Sequence, residues 1–158
     1  MQEPGIGTAK AVSIQAAFEL ARRRNDAQEM QQPTMTSSRD ICRLMQPLIG
    51  DLPHEEFWAI YMNKSHRIMD KKRISQGGLS ATVADVRIIL KQAVSYLASG
   101  LVVCHNHPSG NLQPSRMDRD LTEQLQQAAR LFNIVLLDHV IIGEKGYYSF
   151  ADHGDLFS

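Results

Sequence analysis

Residues 101–104, Leu-Val-Val-Cys, form an unbroken apolar run that ends directly on His105-Asn106-His107-Pro108-Ser109-Gly110. A run this short, with no polar alternation, reads as a strand covered on both faces in the middle of a sheet. Such a strand needs pairing partners on both edges and packing on both faces, and the neighbouring segments offer them. Residues 57–62 and 67–75 read as two strands joined by the turn Asn-Lys-Ser-His. Residues 77–85 form a Gly-led loop. Residues 85–99 place Val86, Ile89, Leu90, Ala93 and Leu97 on one helical face, with Gly100 suited to the position after the helix end. Residues 115–132 predict a second helix, with Leu121, Leu125, Ala128 and Phe132 on its apolar stripe, and residues 134–143 and 146–150 read as further strands. Strands and helices mix along the chain, which predicts an α/β fold around a central mixed sheet.

Three regions are expected. Residues 1–25 open on a Gly-x-Gly turn and continue as the helical segment AKAVSIQAAFELARRR; residues 26–37 are polar and Gln-rich and read as a linker; residues 38–158 carry the main domain. At its start, Ser37 and Asp40 predict a capping box for a helix from Arg39 to Gln46, which Pro47 should end or kink. The turn Pro-Gly-Ile-Gly resembles the second half of a helix-hairpin-helix element, whose backbone N–H groups suit a DNA phosphate. The helix that would precede it in such an element would fall before Met1, so the expectation is either a truncated chain or a decayed module, and in both cases DNA binding through it is not expected.

With 17 basic and 17 acidic residues among 158, the chain has no net charge to drive it toward nucleic acid or anionic lipid. The run Asp70-Lys71-Lys72-Arg73 reads as a solvated sheet edge. No apolar stretch approaches the roughly 20 residues needed to span a bilayer, and the N-terminus lacks the pattern of a secretory signal. Cys42 and Cys104 are far apart in sequence and form no Cys-x-x-Cys pair, so a reducing cytoplasm is the simpler expectation.

In extended backbone, residues two apart project to the same side, so His105 and His107 point one way and Cys104 and Asn106 the other. Pro108 and Gly110 turn the chain back, and Asp118 falls in the first turn of the next helix. Two imidazole nitrogens and one carboxylate oxygen suit Zn²⁺, and three protein ligands leave a fourth position open, the mark of a catalytic site. Ser115 and Asp118 also have an ordinary explanation as a helix capping box, for which no metal is required. The helical His-Glu-x-x-His of zincins is absent, as is the His-x-Glu with Pro-Cys-x-x-Cys of deaminases. His139, on a predicted strand, reads as a hydrogen-bonded core histidine or a support for the site rather than a ligand. His54, His66 and His153 fall in turns or loops, and Phe57, Trp58 and Tyr61 read as core aromatics.

The segment HNHPSGNLQPSRMD resembles the metal-binding motif of JAB/MPN (JAMM) domains in its RadC-like form: His-x-His, seven residues, Ser, two residues, Asp. HEEFWAIYMNKSHRI, ISQGGLS and LDHVIIGEKGYYSFADHGDL are likewise RadC-like, so the resemblance covers residues 38–158, and EPGIGTAKAVSIQAAFELARRR resembles the RadC N-terminal region. It implies a JAB/MPN-type, cytidine-deaminase-like sheet flanked by helices, and one Zn²⁺ per chain on His105, His107 and Asp118. It also implies a glutamate at the start of an early strand that takes a proton from the activated water and passes it to the leaving amine. Glu55 and Glu56 both stand there; the family's Glu-x-Phe spacing favours Glu55, leaving Glu56 as a solvated carboxylate. Ser115 matches the serine that donates to the developing oxyanion.

The resemblance thus implies a zinc-dependent metallopeptidase acting on a peptide or isopeptide bond of a protein substrate. A second class is also implied by the family name, a DNA-associated accessory protein of repair or recombination without peptidase activity; salt-dependent DNA binding separates the two. A third, a metal-free scaffold, sits poorly with a complete ligand set.

Overall fold

A computed structural model of the chain describes residues 7–31, 33–77 and 84–156. The Pro4-Gly5-Ile6 part of the Gly-x-Gly turn and most of the loop at 77–85 lie outside the described residues. The chain divides into two compact units, residues 1–33 and 34–158. The first holds helix α1, Thr8–Gln31, which runs into the polar stretch read as linker as far as Gln31. No helix of the described residues is long and apolar enough to cross a membrane.

The second unit is a five-stranded mixed sheet with helices on both faces. Its elements run α2 (Ser38–Ile49), β1 (Glu56–Met62), β2 (Ile68–Gln76), α3 (Val86–Ser95), β3 (Gly100–Asn106), α4 (Arg116–Arg130), β4 (Val135–Gly143) and β5 (Gly146–Ser149). The sheet order is β2-β1-β3-β4-β5. Only β3 and β4 pair in parallel; the other neighbours are antiparallel. The parallel pair requires a crossover, and α4 supplies it.

Every residue of β3 is buried. Its side chains alternate between two cores, as the pleat demands. Leu101 and Val103 pack with Phe57, Tyr61, Ile89 and Leu125 under α3 and α4. Val102 and Cys104 pack with Ile41, Met45, Ile49 and Ile60 under α2. Cys104 is therefore on the face opposite His105, and both cysteines are free thiols.

Helix ends depart from the sequence reading in three places. The Ser37–Asp40 capping box is present, but Pro47 does not terminate α2. The helix continues to Ile49, which is fully buried, and that burial outweighs the one hydrogen bond that proline removes. Helix α3 ends at Ser95 rather than at Ser99. Leu97 takes the left-handed position at φ 51°, while Ala98 N–H reaches Ala93 O at 2.9 Å and Leu97 N–H reaches Val94 O at 3.0 Å. This is the double hydrogen bond of a Schellman ending, made here without glycine. Gly100 instead opens β3, where a Cβ would lie 2.7 Å from Leu137. Helix α4 is rotated from the predicted stripe. It buries Thr122, Leu125, Gln126 and Ala129, and Phe132 is exposed beyond its end.

The start of β1 is fastened by polar contacts. Glu56 is buried, not solvated. Its N–H donates to Asn106 Oδ1 at 2.7 Å, and its carboxylate accepts from Trp58 Nε1 at 2.9 Å and from Arg73 at 2.8 Å. Asn106 Nδ2 in turn donates to His54 O at 2.9 Å. Burial alone would raise the Glu56 pKa, but the hydrogen bonds from Trp58, His54 and Arg73 outweigh it and the net shift is downward.

Two outcomes follow from this packing. Leu125→Ala empties a fully buried position between α4 and the sheet, and urea unfolding should register a loss of about 2–5 kcal/mol. Glu56→Gln should cost roughly 1–3 kcal/mol at about pH 7. A carboxyl with a depressed folded-state pKa stabilises above its unfolded value, and that stability is lost as pH falls through the folded value. The difference between wild type and Glu56→Gln should therefore shrink below the ordinary value of 4.5, read from paired unfolding curves across pH.

Candidate metal centre

His105 is the sixth residue of β3, and the chain stays extended through His107, whose N–H donates to Ile142 O at 3.0 Å. The two imidazoles consequently project to one side, as their spacing predicts. Their Nε2 atoms lie 3.0 Å apart. After the turn at Gly110 (φ 76°), α4 begins at the N-cap Ser115 and delivers Asp118 to the same point. Asp118 Oδ1 is 3.1 Å from His105 Nε2, and Oδ2 is 3.6 Å from His107 Nε2. Among the described residues, this trio is the group of His, Cys, Asp and Glu side chains whose ligand atoms gather closely enough to hold a metal ion.

The capping and ligand readings of Asp118 turn out to be compatible. Oδ2 accepts from Ser115 N–H at 2.7 Å and from Ser115 Oγ–H at 2.6 Å, while Asp118 N–H donates back to Ser115 Oγ at 3.1 Å. Oδ1 stays turned toward His105. Burial pushes the Asp118 carboxyl up, but the imidazoles of His105 and His107 beside it outweigh that, and the net pKa is well below the usual range. The His107 pKa is raised, chiefly by the Asp118 carboxylate beside it.

The donor set fits a cation. His107 Nδ1 is 2.5 Å from the carbonyl of Asn111, which can only accept, so Nδ1 carries hydrogen and Nε2 presents a lone pair. His105 turns Nδ1 toward His139 Nε2 at 2.9 Å and Nε2 toward Asp118 and His107. Two imidazole lone pairs and an ionised carboxylate facing one point repel each other unless a positive charge sits among them. A borderline-soft divalent ion with N and O ligands suits that point.

Glu55 lines a cleft of about 260 Å³ together with Phe57, Met117, Asp118 and Leu121. It is half-buried. Its pKa is raised by burial, against the opposing pull of His105 and His107. Glu56, one residue on, is held away from this cleft by Arg73 and Trp58, so the structure brings Glu55 and not Glu56 to the cluster. Ser115 is exposed, with its hydroxyl on Asp118.

His139 sits directly behind His105 in the cluster. It is completely buried, stacks on Phe150 at 4.7 Å and meets the edge of Phe57 at 5.6 Å. Desolvation lowers its pKa well below the ordinary value. Its Nδ1 is 2.6 Å from Thr122 Oγ1. Thr122 escaped the sequence reading, although positions 118, 122, 125 and 129 share one face of α4 and pointed inward together.

Residues 35–155 match the family described as RadC-like JAB domain. The chain is 47% identical over 150 residues to a UPF0758 protein of Flavobacterium johnsoniae, covering 95% of this chain and 66% of that one. It is 46% identical over 151 residues to a UPF0758 protein of Porphyromonas gingivalis, with 95% and 66% covered. A Streptococcus sanguinis UPF0758 protein is 39% identical over 152 residues. The chain thus spans about two thirds of the length of the relatives it matches. Fold, ligand cluster and matched residues agree: this chain belongs to the RadC-like JAB domain family.

Proposed function

We propose that the chain is a JAMM-type zinc metallopeptidase that hydrolyses a peptide or isopeptide bond of a protein substrate in the cytoplasm. The observation that supports this best is the meeting of three electron-pair donors, His105 Nε2, His107 Nε2 and Asp118, at one point beside the raised carboxyl of Glu55. Zinc, when bound there, supplies Lewis acidity toward a water and toward the substrate carbonyl.

The remaining work belongs to the protein. Glu55 takes the proton of the attacking water and returns it to the departing amine nitrogen, so one carboxylate serves as base and then acid. Its partial burial raises its proton affinity toward what that exchange requires. Ser115 Oγ–H donates to the carbonyl oxygen as negative charge develops on it. That same proton now bonds Asp118 Oδ2, so substrate and helix cap compete for it. The apolar wall of Phe57, Met117 and Leu121 lies along the cleft and suits an uncharged substrate side chain.

Elemental analysis should find about one zinc per chain in wild type and little in His107→Ala. Glu55→Gln should keep its zinc and lose hydrolysis by a factor of about 10²–10⁴ against a peptide library. Full activity in Glu55→Gln would discard the base assignment. A wild type that takes up no zinc after supplementation would reduce Ser115 and Asp118 to a helix cap and move the DNA-associated reading ahead.

A further inference from the structure

Metal-ligating histidines are usually oriented by a carboxylate or a backbone carbonyl, and such a partner can only accept, so it dictates the tautomer by itself. Asn111 O does this for His107. His105 differs, because its Nδ1 faces another imidazole, His139 Nε2, at 2.9 Å. An imidazole nitrogen can donate or accept, so His139 orients His105 only if something else orients His139.

Thr122 does so. Its Oγ1 is 2.6 Å from Asp118 O and 2.6 Å from His139 Nδ1. A helical threonine bonded to the carbonyl four residues back is ordinary by itself; the second contact makes it directional. The carbonyl cannot donate, so the single hydroxyl hydrogen goes to Asp118 O. Toward His139 the hydroxyl then offers a lone pair, and His139 Nδ1 must carry hydrogen. Enclosed by the rings of Phe57 and Phe150, with no exposed surface, His139 stays neutral, so its Nε2 accepts. His105 Nδ1 must then donate, and its Nε2 is left with a free lone pair aimed at the ligand point. The bonds run in one direction: His105 to His139, His139 to Thr122, Thr122 to the main chain of Asp118. They begin at one ligand and end at another, and they tie β3, β4 and α4 around the site.

We propose that Thr122 and His139 are positioning residues of the metal centre, which lock His105 in its Nδ1–H tautomer and hold Asp118 in register with it. This rests on the trio being a metal site, but the tautomer itself is a property of the metal-free protein, so the two can fail separately.

The first experiment is ¹⁵N NMR of the histidine side chains in metal-free wild type at about pH 8, where an ordinary imidazole is neutral. His139 should appear as its Nδ1–H tautomer and His105 should carry hydrogen on Nδ1; an Nε2–H tautomer of His139, or a His105 without hydrogen on Nδ1, overturns the proposal, whatever the zinc result. The second is zinc affinity by chelator competition in Thr122→Val and Thr122→Ser, with folding checked by circular dichroism. Valine keeps the shape without the hydroxyl and should weaken zinc binding by about 10–100-fold, as loss of an orienting partner does; serine should stay within a few-fold of wild type. Unchanged affinity in a folded Thr122→Val, or an equal loss in Thr122→Ser, would reduce Thr122 to packing and overturn its role.

Discussion

Strand β3 is paired on both edges and covered on both faces, so none of its side chains reaches water. Whatever stands at its end must be either apolar or matched to a partner. Four residues obey the first condition and three the second: His105 finds His139 and Asp118, Asn106 finds the backbone of residues 54 and 56, and His107, just beyond, finds Asn111. A polar group in such a place is costly unless satisfied. The site is therefore a place where the sheet is obliged to organise its hydrogen bonds, and the placement of Glu55 is part of the same arrangement. Asn106 pins the backbone of Glu56, Arg73 and Trp58 take up its carboxylate, and the residue before it is left to face the cleft.

Much of this was legible from local patterns. The apolar run announced a central strand, the spacing of two histidines placed them on one side, and Ser115 with Asp118 marked a helix start. Each of those signals spans only a few residues. What stayed hidden depends on neighbours distant in sequence. His139 comes from β4, and no spacing rule relates it to His105 before the parallel register is known. Thr122 looked like a polar helix residue until α4 turned out to bury Thr122 and Gln126 while Phe132 stayed outside.

The helix ends teach a related lesson. Pro47 and Gly100 are the residues that local rules read as terminators, yet tertiary contacts decided otherwise. Burial of Ile49 carried α2 past its proline, and close approach of Leu137 reserved Gly100 for the strand. The left-handed turn then fell to Leu97, an exposed side chain in a conformation that costs it energy.

The three residues that could hold a metal ion come from one short stretch of chain, His105 to Asp118. That brevity affects the link between ion binding and folding. An unfolded chain holds these three groups on a short tether, and closing so small a loop costs little entropy. A cation that binds them thus also binds the denatured ensemble, and only the difference between the two affinities stabilises the fold. The folded protein adds the preset imidazole of His105 and the fixed start of α4. Those additions, rather than the ligands themselves, determine how far an ion at this point raises the melting temperature.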